Sequence, residues 1–223
     1  TLQEYVKKLI KSMHSIDKES QDLLLQVDKS TNRLISSIQD IITLNRYNQK
    51  TDLIKKQTDI TESLRTIYDE IAYLSQSRKM KLKLEATDNL PKINIEKKSF
   101  ELLLLNLMMN AVRFTPDYGN ITLGARKAMF HHEKINDEDA VVVYVQDNGI
   151  GIPEREQENI FKAFFELGDI YTHRSGTMEF RSSGLGIGLA IVKRIVDLHN
   201  GKIWIKSKER EGTTVFVSLP LTN

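Results

Sequence analysis

Apolar residues in the first 57 positions recur at steps of three, four and seven, with neither Gly nor Pro to interrupt them. Val6, Leu9, Ile10 and Met13 make one run, and Leu23, Val27, Leu34, Ile38, Ile41 and Ile42 a second. That spacing places each run on one stripe of a helix. The polar residues 15–20 between them suit a tight turn. Residues 1–57 are therefore expected to form an antiparallel helical hairpin whose second arm reaches about Asn48. Such a stripe stays wet on a lone hairpin and is buried when two copies pack as a four-helix bundle. An intramolecular bundle with downstream helices is the alternative. The second arm runs for about 30 residues, about 45 Å at the helical rise, whereas the first has only about 15 residues. Antiparallel partners in a bundle match in length, so roughly half of the first helix is expected upstream of Thr1, in a longer protein.

From about residue 58 the pattern changes. Residues 59–77 read as an amphipathic helix, and residues 81–85 alternate like an exposed strand. Residues 96–114 read as a strongly apolar helix, and 120–127 and 140–146 as strands. Residues 153–164 open on Pro153, a helix-start signal. Residues 188–198 read as a further helix, and 202–207 with 213–219 as a closing hairpin. Interleaved strands and helices imply an α/β sandwich of a mixed sheet with helices on one face. The expected fold is thus α+β, with a helical hairpin over residues 1–57 and a second domain over residues 58–223.

Composition narrows the classes. The 223 residues are 40% hydrophobic and carry a formal net charge of +2, which gives no reason to expect nucleic acid or a membrane surface as partner. There is no cysteine, so disulfides and thiolate metal sites are excluded, in keeping with a cytoplasmic setting. No apolar run of about 18 residues is present, so no membrane-spanning helix is expected; an anchor elsewhere in a longer protein is compatible with this.

Four segments carry candidate chemistry. In the first, Asn106 and Asn110 are four apart and share a helix face in an otherwise greasy helix. Amide oxygens are hard ligands that suit Mg²⁺ alongside phosphate oxygens, and Arg113, on the same side, can reach a phosphate. Two asparagines capping a neighbouring loop are the alternative. In the second, Asp147-Asn148-Gly149-Ile150-Gly151-Ile152 follows an apolar strand. A carboxylate there can accept an exocyclic amine such as that of adenine, and the glycines let backbone approach a flat ring; a plain turn fits equally well. The third, Gly184-Leu185-Gly186-Ile187-Gly188, opens a helix and exposes backbone N–H groups to an anion. It is neither a Rossmann fingerprint nor a P-loop. The fourth, residues 166–183, is long and polar, as a lid is, and carries His173, Arg174 and Arg181, which suit a cationic cover for polyphosphate or plain solvated charge.

Together and in this order, these segments resemble the histidine-kinase branch of the ATPase superfamily that also contains gyrase, Hsp90 and MutL. Residues 106–115 are similar to its N box, 147–151 to its G1 box, 160–165 to its F box and 184–188 to its G2 box, and residues 201–216 to its last hairpin. The resemblance implies an ATP site with Mg²⁺ on Asn110 and Asn106 near the phosphates. Arg113 and Phe114 complete that helix end, with Arg113 where the family often has Lys. It implies Asp147 reading the adenine amine, and Gly149, Gly151, Ile152 and Phe165 lining the pocket. Arg174 and Arg181 would lie in the lid, with Gly184, Leu185, Gly186, Ile187 and Gly188 around the phosphates.

The resemblance also separates transfer from hydrolysis. In gyrase and Hsp90 a Glu four residues before the metal-binding Asn activates water. Here that position is Asn106, and an amide takes no proton at neutral pH. Phosphate transfer to a histidine on the hairpin is the implied reaction, then to Asp of a response-regulator receiver domain, within a homodimer. The family's His-containing acceptor motif does not occur: His14 lacks the following acid and Pro, and His131, His132, His173 and His199 match no acceptor pattern. The acceptor is expected upstream of Thr1. The competing reading is a pseudokinase or dimeric scaffold that binds nucleotide and a response regulator without labelling itself.

Overall fold

The computed structural model describes residues 18–50, 53–86, 90–128, 140–165 and 185–221. Helix α1, Lys18–Gln49, is the expected second arm. The first arm, the turn before it and His14 lie outside the described residues. Along α1, Leu23, Val27, Leu34, Ile38, Ile41 and Ile42 are all exposed, so the described chain leaves the sequence's apolar stripe uncovered.

The C-terminal end of α1 is pinned to downstream parts of the chain. Arg194 donates from Nε to the carbonyl of Tyr47 at 3.1 Å and from Nη2 to that of Lys50 at 2.9 Å. A basic side chain thereby satisfies carbonyls that a helix end leaves open. Tyr47, itself buried, shares a 3.0 Å hydrogen bond with Ser99 Oγ, and Lys50 pairs with Glu96 at 2.8 Å.

Strand β1, Lys56–Thr58, pairs antiparallel with β3, Ile93–Ile95. Between them lie α2, Ile60–Ser75, and β2, Lys81–Ala86. Asp59 caps α2 by accepting the Thr61 N–H at 2.9 Å. Helix α3 spans Lys97–Phe114, followed by β4, Asn120–Lys127, and β5, Ala140–Asp147. Helix α4, Gly188–Leu198, leads into β6, Lys202–Lys208, and β7, Gly212–Pro220.

The main sheet has the order β2-β4-β5-β7-β6. Only the β2–β4 pair is parallel, so the sheet is mixed, as expected. Alternate residues of β4, β5 and β7 (Ile121, Leu123 and Ala125; Val141, Val143 and Val145; Val217 and Leu219) are buried against α2, α3 and α4. Period-two burial on the sheet and three-to-four spacing in α3 (Phe100, Leu103, Leu104, Leu107, Met108, Ala111) meet in one core.

One expected helix is absent. Residues 153–164 hold a single 3₁₀ turn, Glu154–Glu156, followed by turns. Gln157, at the second turn of that segment, spends its amide on the carbonyls of Ile152 and Ser207, each at 3.0 Å. Phe164 ends the segment at φ 64°, in the left-handed region a continuing helix excludes.

Candidate nucleotide site

The C-terminal half of α3 and the N-terminus of α4 face each other. Asn106 donates from Nδ2 to the Leu102 carbonyl at 2.8 Å, which leaves its Oδ1 as an acceptor. That oxygen faces Gly188: a Cβ there would fall 2.8 Å from Asn106 Oδ1 and 4.0 Å from Asn110 Nδ2. Two motifs 78 positions apart, from 110 to 188, are thus brought side by side, with both asparagines half-buried at a helix N-terminus. One helical turn on from Asn110, Arg113 is half-buried and Phe114 exposed. Burial pushes the Asp40 carboxyl of α1 above its ordinary range, and the Arg113 charge acts against that rise.

At the far end of α3 the G1 loop closes on the helix. The Ile150 N–H donates to the Phe114 carbonyl at 3.1 Å. Gly149 sits beneath it, where a Cβ would come within 2.3 Å of the same oxygen, so only glycine allows that approach. Asp147 ends β5 half-buried and accepts the Gly149 N–H at 2.8 Å. Burial pushes its pKa up to about 6, opposed by the backbone N–H groups of Gly149 and Thr213. An ionised carboxylate held in such a recess still has lone pairs for a further donor beside those two amides.

The β6–β7 hairpin braces this loop. Ser207 Oγ accepts the Ile152 N–H at 2.8 Å, touches Thr213 Oγ1 at 2.8 Å and donates to the Gly212 carbonyl at 3.0 Å. Gly151 takes a left-handed φ of 68° here. On the other side, the G2 turn packs on the F-box backbone. The Phe164 N–H donates to the Gly186 carbonyl at 3.1 Å. Gly186 has φ 63°, and a Cβ on it would fall 2.2 Å from the Phe165 carbonyl oxygen. Leu185 and Gly186 are half-buried, and Ile187 is buried in the core.

The residues singled out in the sequence fall into two linked groups. Asn106, Asn110 and Gly188 gather where α3 meets α4, and Phe114, Asp147, Gly149, Gly151 and Ile152 where α3 meets the G1 loop, with Arg113 near Asp40 of α1. Phe165, Leu185, Gly186 and Ile187 form the turn beside the first group. Arg174, Arg181 and Gly184, with His131, His132, His173 and the rest of the expected lid, lie outside the described residues. The sequence reading passed over Ser207, Thr213 and Gln157, although the hairpin that bears two of them was recognised. Among the described residues no His, Asp and Glu cluster suited to a metal ion occurs. No described helix is long and apolar enough to cross a membrane.

A mixed sheet with helices on one face, an asparagine helix, an aspartate at a strand end and a glycine turn opening a helix define an ATPase domain of the histidine-kinase type. The chain belongs to the histidine kinase-, DNA gyrase B- and HSP90-like ATPase family, whose model matches residues 95–223. Among curated relatives, the alginate biosynthesis sensor protein KinB of Pseudomonas aeruginosa is 30% identical over 203 residues, 90% of this chain and 30% of KinB. The sensor histidine kinase WalK of Bacillus subtilis (strain 168) is 26% identical over 225 residues, 99% of this chain and 34% of WalK. The chain therefore spans about a third of the length of these relatives. Of solved structures, the catalytic domain of histidine kinase ThkA is 25% identical with a TM-score of 0.61, covering 77% of this chain and 100% of that one. Full-length ShkA in complex with AMPPNP shares the fold at 21% identity and a TM-score of 0.72, covering 97% of this chain and 45% of that one.

Proposed function

We propose that this chain binds ATP between α3, the G1 loop and the G2 turn, and transfers its γ-phosphate to a histidine on a helical hairpin. Asp147 carries the reading. It is a carboxylate whose pKa burial pushes up to about 6, at a strand end where Gly149 lets the loop close on the end of α3. The exocyclic amine of adenine would be a further donor to it, beside the Gly149 and Thr213 amides. The phosphates then extend toward Asn106, Asn110 and Arg113 and toward the N-terminus of α4, whose backbone N–H groups and dipole favour anions.

Mg²⁺ fits the donor set at that end. Asn106 Oδ1 is left free of its own amide's bond, and Asn110 stands beside it. Asparagine oxygens with phosphate and water make the hard, oxygen-only surroundings the ion takes. Asn110 would hold it, with Asn106 near the phosphates, and it would neutralise charge there. What this chain's residues contribute is position and charge: Arg113 at the phosphates, Asp147 at the base, and an amide rather than a carboxylate at Asn106. Without that carboxylate no group at this position draws a proton from water, which favours a histidine as acceptor over hydrolysis.

We further infer that residues 1–57 form the dimerisation hairpin and residues 58–223 the catalytic domain, and that the uncovered stripe of α1 packs on a second copy. The acceptor histidine would stand on a helical hairpin, and the phosphate would pass on to an aspartate of a response-regulator receiver domain. WalK and KinB, named as sensor proteins, and a solved ThkA complex with the response regulator TrrA support that direction. The test adds labelled ATP and Mg²⁺ to this chain with a separate histidine-bearing hairpin. Label on the hairpin that is lost in acid and kept in alkali supports transfer. Nucleotide binding with no label supports the scaffold reading instead.

A further inference from the structure

Residues 112–115 end α3 with open carbonyls, as every helix does. Two elements from elsewhere in the chain take them up. The G1 loop supplies the Ile150 N–H to Phe114. The other partner is Arg78, the last residue of the 3₁₀ turn that succeeds α2. Arg78 is only 6% exposed. It donates from Nη1 to the Val112 carbonyl, from Nη2 to that of Thr115 at 2.6 Å, and from Nε to Asp117 Oδ1 at 2.7 Å. Its own carbonyl accepts the Tyr118 N–H at 3.1 Å. The fork of one guanidinium thus grips the carbonyls of Val112 and Thr115, which flank Arg113 and Phe114 in the sequence.

We propose that Arg78 is a positioning residue of the nucleotide site, holding the last turn of α3 so that Phe114 can anchor the G1 loop. The inference rests on the nucleotide reading of that pocket and deepens it. Arg78 lies outside the stretch matched by the family model, residues 95–223. It ties α2, which adjoins the α1 linker, to the turn bearing Asn110, Arg113 and Phe114. Without the fork, buried carbonyls lose their donors, and the cheapest remedy is for the last turn to open toward water. The Phe114 oxygen then moves off the Ile150 amide, and the wall beside Asp147 loosens. Lys cannot replace the fork, because an ammonium is a point donor that reaches fewer of the three acceptors at once.

The test compares Arg78→Met, Arg78→Lys and a control, Ile67→Val on α2, at a temperature where each is fully folded by circular dichroism. Mg-ATP affinity is read by calorimetry, and hydrogen exchange of the Ile150 amide by NMR. Arg78→Met is expected to weaken affinity about tenfold, as remote coupled positions do, and to lose protection at Ile150. Arg78→Lys should fall between Met and wild type, and Ile67→Val should match wild type in both readouts. If Arg78→Met fails to fold, the Lys variant carries the test. Unchanged affinity and unchanged Ile150 protection in the arginine variants, while Asp147→Ala abolishes binding, would overturn this inference and leave the pocket standing. Absence of nucleotide binding in the wild-type chain would overturn both.

Discussion

Asp147 accepts the backbone N–H of Gly149 at 2.8 Å, a bond that folds the strand end back over its own loop and holds the carboxylate in a recess. Burial there is the larger effect, lifting the pKa to about 6 against the pull of the Gly149 and Thr213 amides. The folded chain therefore holds a proton on Asp147 more tightly than the unfolded chain does. Its stabilising contribution is fully present below the ordinary value of 3.8 and is lost as pH rises through about 6. At neutral pH the fold carries a carboxylate that it would be more stable without. Asp147→Asn, which keeps an acceptor for both amides, should stabilise the chain at pH 8 by about 1–3 kcal/mol, allowing for partial exposure. At pH 5 only about half of that gain should remain, because pH 5 lies between the two pKa values. Urea unfolding at the two pH values measures it, and equal gains at both would contradict the assignment.

The same carboxylate should link nucleotide binding to protons. If ionised Asp147 meets the adenine amine, binding favours the ionised form and releases a proton near pH 6. Phosphate groups titrate in this range too, so Asp147→Asn is the reference. Calorimetry in buffers of different ionisation enthalpy should show more proton release by wild type than by the variant. No difference would place Asp147 away from the base.

Gly186 is a sharper steric test. At φ 63°, with the Phe165 carbonyl where a side chain would begin, the turn accepts no Cβ without moving the F-box backbone. Gly186→Ala should cost at least about 1–3 kcal/mol in urea unfolding, the usual cost of a strained backbone position. It should also weaken nucleotide binding by shifting the start of α4 away from Asn106 and Asn110. A variant with wild-type stability would mean that the turn is looser than the structure shows.

The α1 stripe predicts assembly. Leu34, Ile38 and Ile42 are exposed on the described chain and lie on one helix face. Ile38→Asp combined with Ile42→Asp should convert a dimer to a monomer in sedimentation. A wild-type chain that sediments as a monomer would remove the dimer from the account.

The legible parts of this protein were those written in local periodicity. Helices α3 and α4 and strands β4 to β7 emerge at nearly their predicted ends because their apolar residues repeat at 3.6 or 2 positions. Strands β1 and β3 did not, since Lys56–Thr58 is polar and three residues long, and is a strand only because Ile93–Ile95 lies beside it. Residues 153–164 misled because Pro153 opens a single turn as readily as a helix, and the contacts the segment makes instead, such as Gln157 on Ser207, are with residues distant in the sequence. The site divides the same way. Asn106, Asn110, Asp147 and the glycines show in motif spacing, whereas Ser207, Thr213 and Arg78 act through partners far along the chain and leave no local signature.

The most direct test of the nucleotide pocket is a calorimetric titration of Mg-ATP into the wild-type chain, Asn110→Ala and Asp147→Ala, each verified as folded. Saturable one-site binding by wild type, weakened by about tenfold or more in each variant, is the expected result for loss of a charged or metal-side contact. Equal affinity across all three chains would contradict it.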